Sequence, residues 1–321
     1  MHVIGYHASH EQFDPAALLG HVRRAEQSGF DAAMCSDHFH PWSRAQGQSG
    51  HAWVWTGAAM AQSRLSFGLV NCPFQRYHPA IVAQAAATLD QLHPGRFWMA
   101  VGSGEALNER ITGAAWPAKP ERHARLREAA EAMRALWAGE TVTRHGAVRI
   151  EGARLYTRPS RAIPVFGAAL TPETARWLGS WCDGLITVSM PMQELRGVVE
   201  AFKDGGGADK PLYLQVKLSY ADSHDAALEG AMQQWRTNVL APAVVESLSQ
   251  PAQFEAAAAA VDAAYFCTRV NVSADLGRHV AWLQAYTELG FSRLYLHNVN
   301  REQARFIDDF GSRVLPHLRA R

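Results

Sequence analysis

The stretch Met99-Ala-Val-Gly-Ser-Gly-Glu-Ala-Leu-Asn-Glu109 sets a carboxylate, Glu105, and an amide, Asn108, on a glycine turn containing Gly104, directly after the apolar run Arg96-Phe-Trp-Met-Ala-Val101. A short apolar, aromatic run reads as a strand buried on both faces. The polar pair then falls at the strand's C-terminal end, where parallel α/β folds bind ligands. A second cluster, Cys35-Ser-Asp-His-Phe-His-Pro-Trp42, follows another apolar run and reaches the same edge. Its Asp37-His38 pair suits general base work, since a histidine accepts a proton at neutral pH while a carboxylate orients the ring or holds a ligand. Trp42 can cover an aromatic ring or a charged intermediate. The other histidines among the 15 are scattered without ligand spacing, so no metal is expected.

Two further stretches end in small or polar residues. Phe67-Gly-Leu-Val-Asn-Cys-Pro-Phe-Gln-Arg-Tyr-His-Pro79 is a strand leading into a proline-bracketed loop, with Val70 and Asn71 at its end. Pro164-Val-Phe-Gly-Ala-Ala169, followed by Thr171-Pro-Glu173, is a strand, a small-residue turn and a helix N-terminus. Exposed amides and a positive dipole end suit a phosphate there, although the same signature serves ordinary strand-to-helix packing.

Positioning these residues requires a sheet, and the chain is patterned for one. Apolar runs at residues 3–6, 32–36, 65–71, 97–102, 165–169, 185–189, 212–220 and 294–299 alternate with amphipathic stretches at 15–28, 80–92, 121–137, 173–181, 193–203, 225–239 and 302–315. About eight βα units predict a closed α/β, TIM-type (β/α)8 barrel rather than an open sheet. Asp14-Pro15 and Thr171-Pro172 are caps with proline at the first helical position, and Ser28-Gly29 is a stop signal. Residues 1–321 read as one barrel domain with insertions near 140–160, a small hairpin, and near 240–265, an alanine-rich helical segment at the barrel mouth. Residues 203–210, with three glycines, read as a loop.

Composition narrows the class. Lys plus Arg number 31 against 30 Asp plus Glu, a net charge of +1, so no overall field attracts nucleic acid or an anionic membrane. No run approaches the ~20 apolar residues that span a bilayer. Four cysteines lie far apart and mostly in apolar runs, which predicts buried thiols and a cytoplasmic setting.

Taken together, Gly5-Tyr-His-Ala-Ser-His-Glu-Gln-Phe13, Ser36-Asp-His-Phe-His-Pro-Trp42, Arg76-Tyr-His-Pro79 and Val101-Gly-Ser-Gly-Glu-Ala-Leu-Asn-Glu109 closely resemble the deazaflavin-dependent glucose-6-phosphate dehydrogenase group of the bacterial luciferase-like family. The resemblance continues through residues 164–189 and Leu289-Gly-Phe-Ser-Arg-Leu-Tyr-Leu-His297. It implies a luciferase-like barrel with a flavin-type ring at its C-terminal mouth. By the same resemblance His38 takes a proton from a substrate hydroxyl as hydride passes to the ring, Trp42 steadies the developing charge, and Glu105 exchanges a proton with the cofactor. Asp37, Gly104 and Asn108 match cofactor contacts, as do Ala168, Ala169 and Thr171 at the phosphate turn. Val70-Asn71 matches the position of a cis non-proline peptide behind the ring. A homodimer follows by analogy.

Departures from the group shape the remaining expectations. Its sugar phosphate is held by two lysines and an arginine. Arg269 stands at the arginine position as a substrate-binding residue, but Ser189-Met-Pro-Met192 and Phe254-Glu-Ala-Ala-Ala-Ala-Ala260 lack the lysines. Losing two of three charge-assisted contacts argues against glucose 6-phosphate, and Met190, Met192, Phe74 and Trp53 suggest a less polar substrate. The turn Ala169-Leu170-Thr171 replaces a glycine pair, which favours flavin mononucleotide (FMN) over the deazaflavin coenzyme F-420. The expected protein is thus a flavin-dependent oxidoreductase moving hydride between a small organic substrate and the ring. One alternative is a monooxygenase supplied by a flavin reductase, and another is a non-catalytic flavin carrier.

Overall fold

The computed structural model describes residues 2–319. Strands β1 (Val3–His7), β2 (Ala32–Ser36), β3 (Ser66–Asn71) and β4 (Phe97–Val101) lie side by side in parallel, linked by α1 (Pro15–Gln27), α2 (Ala52–Gln62) and α3 (Pro79–Leu92). After the short α4 (Ala106–Glu109) and the long α5 (Lys119–Ala138), β5 (Val142–His145) and β6 (Arg149–Ala153) form a separate antiparallel pair. The parallel series resumes with β7 (Val165–Ala168), α6 (Pro172–Gly179), β8 (Gly184–Val188), α7 (Met192–Phe202), β9 (Leu212–Ser219) and α8 (His224–Trp235). Three short helices follow, α9 (Pro242–Val245), α10 (Pro251–Ala257) and α11 (Ala263–Arg269). Then come β10 (Asn271–Val272), α12 (Leu276–Glu288), β11 (Arg293–Asn298), α13 (Gln303–Arg313) and α14 (Leu315–Arg319).

The sheet runs β9-β11-β1-β2-β3-β4-β7-β8, and β8 pairs back onto β9, closing an eight-stranded parallel barrel of the expected TIM type. The two-residue β10 pairs only with the end of β9. Trp98, Phe166, Tyr213 and Tyr295 fill the barrel interior, with the Trp98 indole donating to the Tyr295 hydroxyl at 3.1 Å. Two residues further along β9 and β11 this aromatic plug gives way to Gln215 and His297, because side chains alternate across a strand. The plug is thus the floor of whatever binds above it.

Some elements differ from the sequence expectation. Helix α2 is buried through Ala52, Trp53, Trp55, Thr56, Ala59 and Met60, and Val54 on its outer face is apolar too. It therefore shows little of the polar contrast by which amphipathic helices are read. Residues 203–210, expected as a loop, begin with a π-type turn that prolongs α7 over Lys203–Gly207 and is kinked at Gly206, where φ is +99. Close packing explains the turn, since a Cβ at Gly205 would lie 1.9 Å from the Arg176 carbonyl oxygen of α6. Cys35, Cys72 and Cys182 are buried free thiols, whereas Cys267 is exposed. No helix among the described residues is long and apolar enough to cross a membrane.

Candidate active site

A cavity of about 300 Å³ opens at the C-terminal ends of the barrel strands. His38, Glu105 and Trp42 line it, as do Asp37, Val70, Asn71, Gly104, Asn108, Ala168, Ala169 and Thr171. Of the residues given a catalytic, cofactor-binding or substrate-binding role from sequence, Arg269 stands outside this lining. It ends α11, turns its guanidinium onto Glu194 of α7 at 2.7 Å and lies over the Tyr265 ring.

His38 is held from both sides. Its Nδ1 meets Glu11 Oε1 at 2.5 Å, and the second oxygen of Glu11 accepts from the Ser9 hydroxyl at 2.7 Å. A carboxylate partner fixes the proton on Nδ1, so the lone pair sits on Nε2. That nitrogen lies 3.9 Å from Glu105 Oε2, and the ring meets Trp42 edge-on at 5.3 Å between centroids. Burial alone would lower the His38 pKa, but the hydrogen bond and charge of Glu11, with Glu105 behind, raise it above the ordinary histidine value. Burial likewise opposes ionisation of Glu11, yet the bond to His38 holds it well below the usual carboxylate range. Sequence reading passed over Glu11, whose only signal was its place after β1 in the Gly5–Phe13 stretch.

Asn108 joins the two loops. Its carbonyl oxygen accepts from the backbone N–H groups of Phe39 and His40 at 2.9 and 3.1 Å, and its amide donates to Glu105 at 3.3 Å. His40 Nδ1 donates to the Leu107 carbonyl at 2.8 Å, a second tie between them. Gly104, at φ +74, turns the chain where a Cβ would meet Cys72 Sγ and Glu109 Cγ at 2.9 Å. Behind the turn, half-buried Arg76 bonds Asp37 Oδ2 at 3.1 Å and faces Glu109 at 3.5 Å. Burial pushes Glu109 up to about 7 against the pull of Arg76.

Several polar groups in this wall have no protein partner. Asp37 Oδ1 and Asn71 Oδ1 are buried without a hydrogen bond. Such groups are costly unless a ligand satisfies them. On the opposite wall Thr171 caps α6, its hydroxyl accepting from Thr174 N at 3.4 Å, with Leu170 and Thr174 beside it. Lys119 also lines the cavity, a cation that sequence reading did not place there. All peptide bonds among the described residues are trans, so the cis linkage expected at Val70-Asn71 is absent. The β3–β4 register continues through Asn71↔Val101 and holds the backbone extended there.

A model of the luciferase-like monooxygenases matches residues 1–293. The chain belongs to that family. It is 39% identical over 329 residues to the F420-dependent glucose-6-phosphate dehydrogenase of Beutenbergia cavernae, covering 99% of this chain and 98% of that one. A Rhodococcus erythropolis protein of the same name is 38% identical over 332 residues, covering 99% and 98%. Among solved structures, an F420-dependent secondary alcohol dehydrogenase in complex with an F420-acetone adduct superposes with a TM-score of 0.93 at 32% identity, covering 99% of both chains.

These relatives overturn the expectation that glucose 6-phosphate is excluded, because near-complete matches at 37–39% identity carry that dehydrogenase's name. The structure removes one part of the expectation, that of an apolar substrate. Met190, Met192, Phe74 and Trp53, which suggested an apolar substrate, are absent from the cavity lining, and Trp53 instead packs against Phe97. In their place the lining contains Lys217, Gln215, Asn238 and His7.

Proposed function

We propose that this chain is a deazaflavin-dependent dehydrogenase using coenzyme F-420, which removes hydride from a carbinol. Glucose 6-phosphate is the substrate to which its relatives' names point. The observation that carries the reading is the Glu11–His38 dyad, whose free Nε2 faces the cavity beside Glu105 and Trp42.

The residues present fit such a cofactor. Asp37 Oδ1 and Asn71 Oδ1 offer unpaired acceptors, Gly104 leaves the turn without a side chain, and the Thr171 turn with Lys119 suits an anionic tail. Lys119 at the mouth and the F420-dependent relatives support the deazaflavin alternative over the FMN expected from the altered turn. When bound, the deazaflavin supplies a hydride acceptor.

His38 Nε2 accepts the substrate hydroxyl proton as the C–H hydride departs, which leaves a carbonyl product. Glu11 stabilises the imidazolium so formed and keeps the ring in its productive tautomer, as a carboxylate does in other histidine dyads. Trp42, backed by Phe254 of α10 at 5.3 Å, shields the ring from water. Glu105, oriented by Asn108, is the proton-exchange group on the cofactor side. With purified F-420 and glucose 6-phosphate, loss of the oxidised deazaflavin absorbance tests the reading. Turnover expected with F-420 and absent with FMN supports it, whereas reduction of neither by any alcohol or sugar phosphate overturns it.

A further inference from the structure

Lys217 has an environment that no group in the reaction described so far explains. It projects from β9 at the C-terminal end, next to His297 in the β9–β11 register, and lines the cavity while only 7% exposed. Its backbone N–H is bonded to the Ser189 hydroxyl at 2.9 Å. Among the described residues, however, its ammonium has neither an ion-pair partner nor a hydrogen bond. The nearby acid is already committed, since Glu194 is bonded to Arg269 at 2.7 Å. A buried cation without a counter-ion is expensive, and folds retain one where a ligand supplies the missing charge.

The cavity is also polarised by charge. Glu11, Glu105 and Glu109 lie on the side of β1 and the β4 turn, while Lys217 stands at β9, with Arg269 close enough to influence it electrostatically. His297 lies between the two sides, feeling both Glu11 and Lys217, and its ring is occupied by Gln12 at 2.9 Å and Gln215 at 3.2 Å. His297 is therefore used internally, while His7 lines the cavity with both ring nitrogens unpartnered but is kept neutral by burial, which leaves Lys217 as the charged donor on this side.

We infer that Lys217 is the specificity-determining cation of this chain, binding the phosphate of the substrate in place of the two loop lysines it lacks. The inference rests on the dehydrogenase reading for which molecule carries the anion. Burial, with Arg269 adding to the effect against Glu194, lowers the Lys217 pKa to about 8, so the ammonium form still prevails at neutral pH. An anion beside it would hold it charged.

The test uses cofactor-free protein first. Titration calorimetry with inorganic phosphate and with glucose 6-phosphate compares wild type with Lys217→Met, which keeps the buried volume, and Lys217→Arg, which keeps the charge. A charge-assisted contact predicts at least tenfold weaker binding of both ligands in Lys217→Met and substantial retention in Lys217→Arg. Affinity for F-420 is expected to stay within about twofold in both. Unchanged phosphate binding in Lys217→Met, or no binding by wild type, overturns the inference. A parallel loss of F-420 affinity also overturns it, by moving the anion from substrate to cofactor. Turnover adds a separate arm, with kcat/KM for glucose 6-phosphate expected to fall at least tenfold in Lys217→Met while that for propan-2-ol holds. Should wild type turn over nothing, the dehydrogenase reading fails while the calorimetric contrast still judges Lys217.

Discussion

At the scale of single residues, the dyad makes His38 a stronger base than a lone imidazole and the orphaned Asp37 oxygen makes the wall hungry for a donor. Replacing His38 with Ala should slow hydride transfer about a hundred- to ten-thousand-fold while F-420 affinity, read by fluorescence quenching, changes little. His38 must be neutral to accept a proton, and its pKa lies above the ordinary 6.5, so kcat/KM for oxidation should fall as pH drops through a value above 6.5. In Glu11→Gln the two largest raising effects disappear and burial prevails. The acidic limb should then move to lower pH, together with a drop in kcat. A limb that stays in place would show that Glu11 does not set the proton affinity of the base.

At the scale of elements, two loops after different strands are held as one unit. Asn108 ties the β2 loop to the β4 turn through two backbone N–H groups. Asn108→Ala leaves both part-buried donors without their protein partner, which should cost about 1 kcal/mol, read as a shift of the urea midpoint, and should lower kcat because Glu105 also loses its orienting amide. Gly104→Ala tests the turn itself. Its φ of +74 and the contacts at 2.9 Å to Cys72 and Glu109 forbid a side chain without strain. A loss of about 1–3 kcal/mol is expected, and a wild-type urea midpoint would refute the steric argument. Both residues were legible in sequence as a glycine and an amide after an apolar run. Their exchange of hydrogen bonds with residues 39–40 was not, since pairing across about 70 positions follows only from strand order.

For the whole molecule, burying histidines has a cost that pH reveals. Burial lowers His7, His10 and His279 to about 4. These histidines are neutral in the fold between pH 4 and 6.5 but protonated when unfolded, so the unfolded state binds more protons and stability falls as pH drops from 6.5 toward 4. Glu11, depressed in the fold, adds to the loss as pH falls below the ordinary carboxylate value. His38, raised by Glu11, and Glu109, raised by burial, work the other way, but they are two groups against His7, His10, His279 and His297. Melting temperature should therefore fall steadily between pH 6.5 and 4.5, and a flat profile would mean that these histidines gain protons without unfolding. The barrel itself was readable along the chain, because short apolar runs and helix caps are local properties of neighbouring residues. The carboxylate, histidine and glycine turns could be read for the same reason: strand ends are marked in sequence, and in a closed parallel barrel all C-terminal ends face one mouth. What surrounds each side chain there is a matter of distant partners. Only the closed barrel turned Glu11 toward His38, gave Arg269 to Glu194 and left Lys217 facing the cavity, because inward or outward orientation and charge pairing depend on register between strands up to 290 residues apart.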